Sequence, residues 1–542
     1  MIPLFSAGQI KNADSHAITE LGIPSAMLME NASASVFNEI RNFFQIPGTQ
    51  NLIGIVCGKG NNAGDGFALA RHFILSGCNV AVVYVAPPEE LSDDALANYN
   101  ILSNLKKSGY GFILKQYESS EDLDVLENAY LIIDAILGTG LKGPLREPYA
   151  SLIRGLNRIG SAKASVDIPS GVDADTGFAA EAFKADLTVT LAELKCGLFV
   201  GQGPMYAGMI RKGFIGVGKA YFDTISSDTF LVELKDALNG LPVRKKDVHK
   251  YSSGRVYIVA GSDKLPGAAV LTARGALYSG AGSVILGIPD EVSWKIAARL
   301  TEVIVEPYDN ISDDTSVTKL EHTKTGYLTE KSLDNIRKRM LWSDVMVAGP
   351  GLGRNPSTIQ AVRELIAGAE GRTAVIDADA LYALGEGEYE KFKLTNKILT
   401  PHMGEFSQLT GIPKEDIQKN ILDHGGAFCR KTGAFLVLKG APTIIFSPSG
   451  KSFINSTGNP GMAKFGTGDA LTGIIAGFVS QAISSEHADI VQAIEESVVS
   501  AVYFHSLSAD SLAQKKSVYS VTAGSIIKNF GRTIVKARDF GL

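Results

Sequence analysis

Cysteine is scarce in this chain. The four residues (Cys57, Cys78, Cys196 and Cys429) among 542 are scattered, with no CxxC and no histidine at metal-ligand spacing. That excludes a disulfide framework and fits neutral thiols in a reducing compartment. An excess of positive charge is missing too: 52 Lys+Arg against 57 Asp+Glu leave a formal net charge of -5. Such a balance offers no general attraction for nucleic acid or an anionic membrane, so any phosphate must be gripped locally. Long hydrophobic runs are absent: the most apolar helical stretch, 471–479, falls far short of the roughly 20 residues that cross a membrane. The opening MIPLFSAGQIKNADSHA has neither the basic segment nor the apolar segment of a secretory signal. The expectation is a cytoplasmic protein without a nucleic-acid or membrane partner.

What the chain does have is glycine and short apolar runs. At about 150 residues per domain, its length calls for more than one core, and 45% hydrophobic residues can fill them. The 57 glycines punctuate apolar runs and do not form a low-complexity tract. In the first half the runs lie at 52–57, 80–86, 130–137, 164–168 and 187–191, with helix-period segments such as 67–75 and 91–105 between them. Two helices precede them; the second starts at Ser25 and carries an apolar stripe of Leu28, Val36, Ile40 and Phe43. Short continuous strands alternating with helices predict a mostly parallel, doubly wound α/β sheet. The rhythm breaks over 218–248, where LPVRKKDVHK reads as a connector. It restarts at 256–260, 283–288, 303–305, 345–348, 373–376, 397–399 and 435–438, followed by a hairpin-like pair at 443–446 and 452–454. Two α/β domains are expected, 1–224 and 225–542.

The sharpest motif is NPGMAKFGTGDALTGIIAGF (459–478). Gly466, Thr467 and Gly468 form a turn running into an apolar helix, so backbone N–H groups and the helix N-terminus can converge on an anion. Such a hole suits a phosphoryl group in transfer. Asp469, in the first helical turn, is placed to accept a proton from a substrate hydroxyl; the plainer alternative is a helix cap. KGAPT ends an apolar run with groups that can hold nucleotide phosphates, and TPHMGEF follows another strand. Strand carboxyl ends are where open α/β sheets bind ligands. His402 taken alone reads as a packed or capping histidine. AGPGLG and AGSDKLPGAA end two further strands in glycine turns that let a flat ligand approach backbone. DADAL (377–381) reads as helix capping rather than catalysis.

In the first half, VCGKGNNAGDGFALARHF (56–73) is a strand, a glycine turn and a helix. Its spacing is GxGxxxG, and the next strand ends in VVYVAPPEE without an acid at its tip, so it departs from the dinucleotide fingerprint. It lacks the GK[ST] of a P-loop as well. Asn62 and Asp65, Asp134 in IIDAILGTGLKGP, and Asp167 with Ser170 in SVDIPSG all fall at strand ends. Singly they are turns or caps; together they suggest a site, and oxygen donors without His or Cys suit a hard cation rather than zinc.

The ordered set AGS…GAA, GPGLG, TPHxGEF, KGAPT and GMA…GTGD resembles the ribokinase-like ADP/ATP-dependent NAD(P)H-hydrate dehydratases from about residue 243 onward. That resemblance implies that Lys439, Gly440, Ala441, Pro442, Thr443 and Gly468 hold the adenine nucleotide. It implies that Ala269, Gly353, His402 and Asp469 contact the hydrated nicotinamide. Phe465 stands where that family commonly has a small residue. Residues 1–218, with LMENAS upstream of the glycine turn, resemble the Rossmann-like NAD(P)H-hydrate epimerase domain; Ser33 replaces a common glycine there. This implies substrate contacts from Asn61, Asn62, Ala63, Gly64 and Asp65, from Gly138, Thr139, Gly140, Leu141, Lys142, Gly143 and Pro144, and from Asp167. It also implies a potassium ion on Asn62, Asp134 and Ser170. The two halves together resemble the fused bifunctional NAD(P)H-hydrate repair enzymes. The implied work is epimerisation of R- and S-NAD(P)HX and dehydration of the S form to NAD(P)H with consumption of ADP, accompanied by Mg2+. Asp469 is the expected base of the dehydratase and Asp167 the acid/base of the epimerase, in a protein expected to be a homo-oligomer. The rivals are a small-molecule kinase on the same C-terminal fold, a generic NAD-dependent dehydrogenase, and a non-catalytic N-terminal binding module.

Overall fold

The computed structural model describes residues 1–46, 51–243, 247, 249–308, 326–485 and 489–540. By its internal contacts the chain divides into two units: Pro3–Thr229 with Gln418–Ile421, and Met1–Ile2 with Phe230–Ile417 and Leu422–Leu542.

After a short β1 (Ile2–Leu4), the N-terminal unit is built on β2 (Leu52–Cys57), β3 (Asn79–Tyr84), β4 (Ile113–Gln116), β5 (Leu131–Ala135), β6 (Ala162–Val166), β7 (Leu187–Leu191) and β8 (Met209–Gly213). These seven form one sheet, ordered β4-β3-β2-β5-β6-β7-β8, with every neighbour parallel. Alternate strand residues feed opposite faces. Ile53, Ile55 and Cys57 pack with Val36, Ile40, Leu69 and Phe73 from the helices Ser25–Phe44 and Asn61–Leu75. Val56 and Ile132 face the other way, onto Leu152, Ile153 and Leu156 of the helix Tyr149–Arg158. The strand order reverses between β2 and β5, opening a crevice at their carboxyl ends. Gly58 permits that crevice to form tightly, because a Cβ there would stand 1.9 Å from the Ile136 carbonyl oxygen.

The C-terminal unit carries β9 (Thr229–Val232), β10 (Arg255–Val259), β11 (Ser283–Ile288), β12 (Ile304–Pro307), β13 (Val345–Ala348), β14 (Thr373–Ile376), β15 (Lys397–Leu399), β16 (Phe435–Leu438), β17 (Ile444–Phe446) and β18 (Ser452–Asn455). Their order is β9-β18-β17-β16-β15-β14-β13-β10-β11-β12. From β12 to β16 all neighbours are parallel, and β16-β17-β18 is antiparallel. The helix Thr467–Ser484 is apolar nearly all round and buried accordingly. It lies against the helix Pro266–Tyr278 at a distance only glycine allows: a Cβ on Gly473 would meet the Thr272 carbonyl at 2.0 Å.

The expected connector at 218–248 holds the short helix Lys219–Phe222, β9 and the helix Leu234–Asn239. Its charged end, Arg244, Lys245, Lys246 and Val248, lies outside the described residues. Four strands escaped the sequence reading: β1 and β9, and also β4 and β8, the two edges of the N-terminal sheet.

Candidate active sites

In the N-terminal unit the carboxyl ends of β2, β5 and β6 deliver the expected oxygen donors to one place. Asp134, the fourth residue of β5, is fully buried. Its Oδ1 accepts from Ser170 Oγ at 2.6 Å and Ile136 N at 3.1 Å, and its Oδ2 accepts from Ser170 N at 2.8 Å and Ser165 Oγ at 3.1 Å. Burial pushes its carboxyl up to about 6 despite those four donors. Asn62 donates from Nδ2 to the Leu137 carbonyl at 3.1 Å, and Leu137 N donates to Ser170 Oγ at 2.8 Å. The Asn62 amide oxygen, Oδ1, is buried with no hydrogen-bond partner. A buried acceptor left bare is costly unless something fills the role of donor. A cation held by amide, hydroxyl, carbonyl and carboxylate oxygens meets that need and fits this donor set. Among the described residues no cluster of three or more His, Cys, Asp or Glu side chains offers a metal site.

Asn61, Asn62, Ala63, Gly64 and Asp65 form the first turn of the helix Asn61–Leu75, whose N-terminus faces the crevice. Gly138 lies over Asn62, with its Cβ position 3.4 Å from the Asn62 Cβ, and opens the loop through Thr139, Gly140, Leu141, Lys142, Gly143 and Pro144. Lys142 is exposed and pairs with Asp175 at 2.9 Å and Asp173 at 3.2 Å. Asp167, just past β6, adopts a left-handed backbone with φ 70°. Its Oδ1 accepts from Lys195 Nζ at 2.6 Å and Leu191 N at 2.9 Å. Asp14 stands close enough to Asp167 for burial first, and that carboxylate second, to push the Asp14 carboxyl up to about 6.

In the C-terminal unit the loops leaving five adjacent strands, β10, β13, β14, β15 and β16, line one sheet edge. Ser262 Oγ after β10 donates to the Gly351 carbonyl after β13 at 2.8 Å. Ala269 is buried beneath Gly261, whose Cβ position is 2.9 Å from the alanine methyl. Gly353 N donates to Asp379 Oδ2 at 2.8 Å. Lys439 N donates to the Pro401 carbonyl at 2.8 Å, tying KGAPT to TPHMGEF. His402 caps the helix Met403–Thr410, its Nδ1 accepting from Gly404 N at 3.0 Å and Glu405 N at 3.2 Å. Capping is thus one established duty of this histidine. Thr443 Oγ1 donates to the Gly440 carbonyl at 3.2 Å across Ala441 and Pro442. Gly466, at φ 89°, caps the helix Thr467–Ser484, and Lys439 Nζ is 3.4 Å from the Cβ position of Gly468.

Lys439 Nζ donates to Asp377 Oδ1 at 2.9 Å, while Thr472 Oγ1 donates to Asp377 Oδ2 at 2.6 Å. Burial raises the Asp377 carboxyl, but the ammonium and the donated hydrogen bonds outweigh it and hold the group below its ordinary range. Asp469 moves the other way. Burial first, then the Asp377 charge, pushes it up to about 6, with Lys439 opposing. An ammonium, a helix N-terminus and a carboxyl that can exchange a proton near neutrality therefore share one spot.

Comparison with known proteins gives this arrangement its context. The sequence profile for NAD(P)H-hydrate dehydratase matches residues 256–532, and that for the YjeF-related protein N-terminus matches 25–197. The bifunctional NAD(P)H-hydrate repair enzyme Nnr of Moorella thermoacetica is 36% identical over 97% of this chain and 95% of its own. That of Salinibacter ruber is 34% identical over 89% and 88%. The chain belongs to the bifunctional NAD(P)H-hydrate repair enzyme family. Among solved structures, the ADP/ATP-dependent NAD(P)H-hydrate dehydratase of Bacillus subtilis, co-crystallized with ATP/Mg2+, aligns over 56% of this chain and 97% of its own at 29% identity, with a TM-score of 0.44.

Within this repair-enzyme family member, sequence reasoning passed over several charged residues that contact the expected site residues. Asp377 was expected to cap a helix; its side chain makes no cap, and it holds Lys439 instead. Lys195, Asp14, Asp379 and Glu405 were not singled out either. The signal for Asp377 was the lysine ending β16, a buried-strand cation that needs a partner. Phe465, the residue that departs from the family pattern, is fully exposed beside the glycine turn. Among the described residues no helix is long and apolar enough to cross a membrane.

Proposed function

We propose that this protein repairs hydrated nicotinamide cofactors, with epimerisation of R- and S-NAD(P)HX assigned to residues 1–224 and dehydration of the S form to 225–542. The observation that carries the dehydratase reading is Asp469 at the N-terminus of a buried helix, its carboxyl pushed up to about 6 by burial, beside the Lys439 ammonium. Asp469 takes the proton from the hydroxyl of the hydrated ring, and the terminal phosphoryl of ADP transfers to that oxygen. Phosphate then leaves with the C–O bond pair while a ring proton is lost, restoring the double bond. Hydroxide is a poor leaving group and phosphate a good one, which is why a nucleotide is consumed. Lys439 and the backbone N–H groups at Gly468 offset charge on the phosphoryl. Gly440, Ala441, Pro442 and Thr443 hold the nucleotide, with magnesium arriving on its phosphates. Ala269, Gly353 and His402 bound the hydrated ring.

In the epimerase, Asn61–Asp65 and Gly138–Pro144 hold the substrate, and Asp167 assists loss and return of the hydroxyl as acid/base. Potassium would be held by Asn62, Asp134 and Ser170, where the bare Asn62 Oδ1 supports the reading. It would supply fixed positive charge to the crevice. The protein works in the cytoplasm as a homo-oligomer.

The test of the dehydratase assignment is S-NADHX with ADP and either the native protein or Asp469→Asn. The native protein releases one inorganic phosphate per NADH formed, and the variant forms neither. A stable phosphorylated product without NADH would replace this reading with that of a small-molecule kinase.

A further inference from the structure

Asp167 holds an unusual pose for a residue with a side chain. Its φ of 70° lies in the left-handed region, which only a few per cent of non-glycine residues enter, aspartate more than most. Two contacts fix the backbone and one carboxyl oxygen: Asp167 N donates to the Val189 carbonyl at 2.8 Å, and Leu191 N donates to Oδ1 at 2.9 Å. The third hold is Lys195, a lysine whose side chain has no exposed surface at all. Its ammonium donates to Asp167 Oδ1 at 2.6 Å, to the Leu191 carbonyl at 2.8 Å and to Thr190 Oγ1 at 3.0 Å. An ammonium has three hydrogens, and three close acceptors on three residues engage them. Lys195 therefore has no freedom to swing toward a ligand; it acts through Asp167.

The surroundings say why a cation belongs there. Asp14, on the helix Ala7–Thr19, and Asp65, on the helix Asn61–Leu75, both feel the Asp167 charge. Burial comes first among the causes that raise each of these two carboxyls, and Asp167 comes second. Glu193, on the segment after β7, is paired with Lys212 at 2.8 Å. Lys195 is the cation aimed at the carboxyl group itself, against two further acids on neighbouring helices. A buried charge is tolerated when paired and hydrogen-bonded, and both conditions are met here.

We propose that Lys195 is a positioning residue of the epimerase site: it pins Asp167 Oδ1 and leaves Oδ2 for the substrate. The proposal rests on the reading of Asp167 as the acid/base.

The test uses the full-length protein with ADP and either R-NADHX, which yields NADH only after epimerisation, or S-NADHX, which reports the dehydratase and the integrity of the preparation. Lys195→Met is expected to lower kcat on R-NADHX, above the spontaneous rate, about 100-fold, with KM changed less than about 3-fold. Turnover of S-NADHX stays at the native level. A lysine that only supports the fold would not lower kcat on R-NADHX selectively while KM and S-NADHX turnover hold. R-NADHX turnover within about 3-fold of native overturns the proposal. If Lys195→Met does not fold, Thr190→Val serves instead: it removes one acceptor that orients the ammonium, and an unchanged kcat on R-NADHX overturns the proposal equally. Asp167→Asn separates the two ideas. An active Asp167→Asn protein removes the acid/base reading, whereas an inactive one beside a fully active Lys195→Met removes the role of Lys195 alone.

Discussion

Lys439 Nζ and Asp377 Oδ1 lie 2.9 Å apart, a buried ion pair joining the end of β16 to the segment after β14. Thr472 on the helix Thr467–Ser484 takes the other Asp377 oxygen. The carboxylate thereby sets the ammonium against the glycine turn that precedes Asp469. Replacing Asp377 leaves the half-buried Lys439 ammonium with Glu405, at 3.8 Å, as its remaining ion-pair partner, at a cost below the ~3–5 kcal/mol of a fully buried unpaired charge. Asp377→Asn is therefore expected to lower the melting temperature and to reduce dehydratase kcat about 100-fold, the order expected when a transition-state donor is misplaced. It also removes a charge that raises Asp469, so the acid limb of the remaining activity moves to lower pH. Steady-state kinetics on S-NADHX from pH 5 to 9, with a thermal melt, check all three.

With Asp469 as the proposed base, the native dehydratase should itself gain activity as pH rises through about 6, because that carboxyl must be ionised to accept a proton and is held near that value. The same elevation bears on stability. The folded carboxyl sits above the ordinary value of 3.8, so the protonated folded form is favoured: that contribution is complete below the ordinary value and is lost as pH rises through about 6. Asp469→Asn should consequently melt higher than the native protein at pH 8, and the gap should close toward pH 4. Calorimetry at the two pH values tests the sign.

Asn62→Ala removes the buried oxygen that has no partner. Potassium stimulation of R-NADHX turnover should then require a salt concentration raised by about 10- to 100-fold, the usual penalty for losing part of a metal site. Dehydration of S-NADHX stays as it was. Equal stimulation in both proteins would take the cation away from Asn62, Asp134 and Ser170.

Asp167→Asn should abolish epimerisation while leaving dehydration of S-NADHX intact. The two epimers resolve chromatographically, so the decay of R toward the equilibrium mixture can be followed without ADP. Unimpaired decay would sink the assignment.

Much of this was legible in the residues themselves. β2, β13 and β16 (LIGIVC, VMVA and FLVL) coincide with continuous apolar runs, because strands buried on both faces have no polar side to break the signal. β4 and β8 read ILKQ and MIRKG; edge strands keep charge toward solvent, and the apolar signal vanishes with it. The GTGD turn and the strand-end motifs stood out in the sequence because loops carry the ligand-facing groups. The residues behind them did not. Lys195 reads in sequence as one more surface lysine in LAELKCGLF, and nothing local says that its ammonium is buried against Asp167. Asp377 lies 62 residues from Lys439 in the chain, so the ion pair exists only once the sheet has brought β14, β15 and β16 side by side.

The most direct measurement supplies an equal mixture of R- and S-NADHX and follows recovery of reduced-nicotinamide absorbance with ADP, with ATP and with neither. The account predicts recovery of both epimers with ADP, none without nucleotide, and none with Asp469→Asn. Recovery that stalls at the S fraction, apart from slow spontaneous epimerisation, would contradict the epimerase half. No recovery with either nucleotide would contradict the whole.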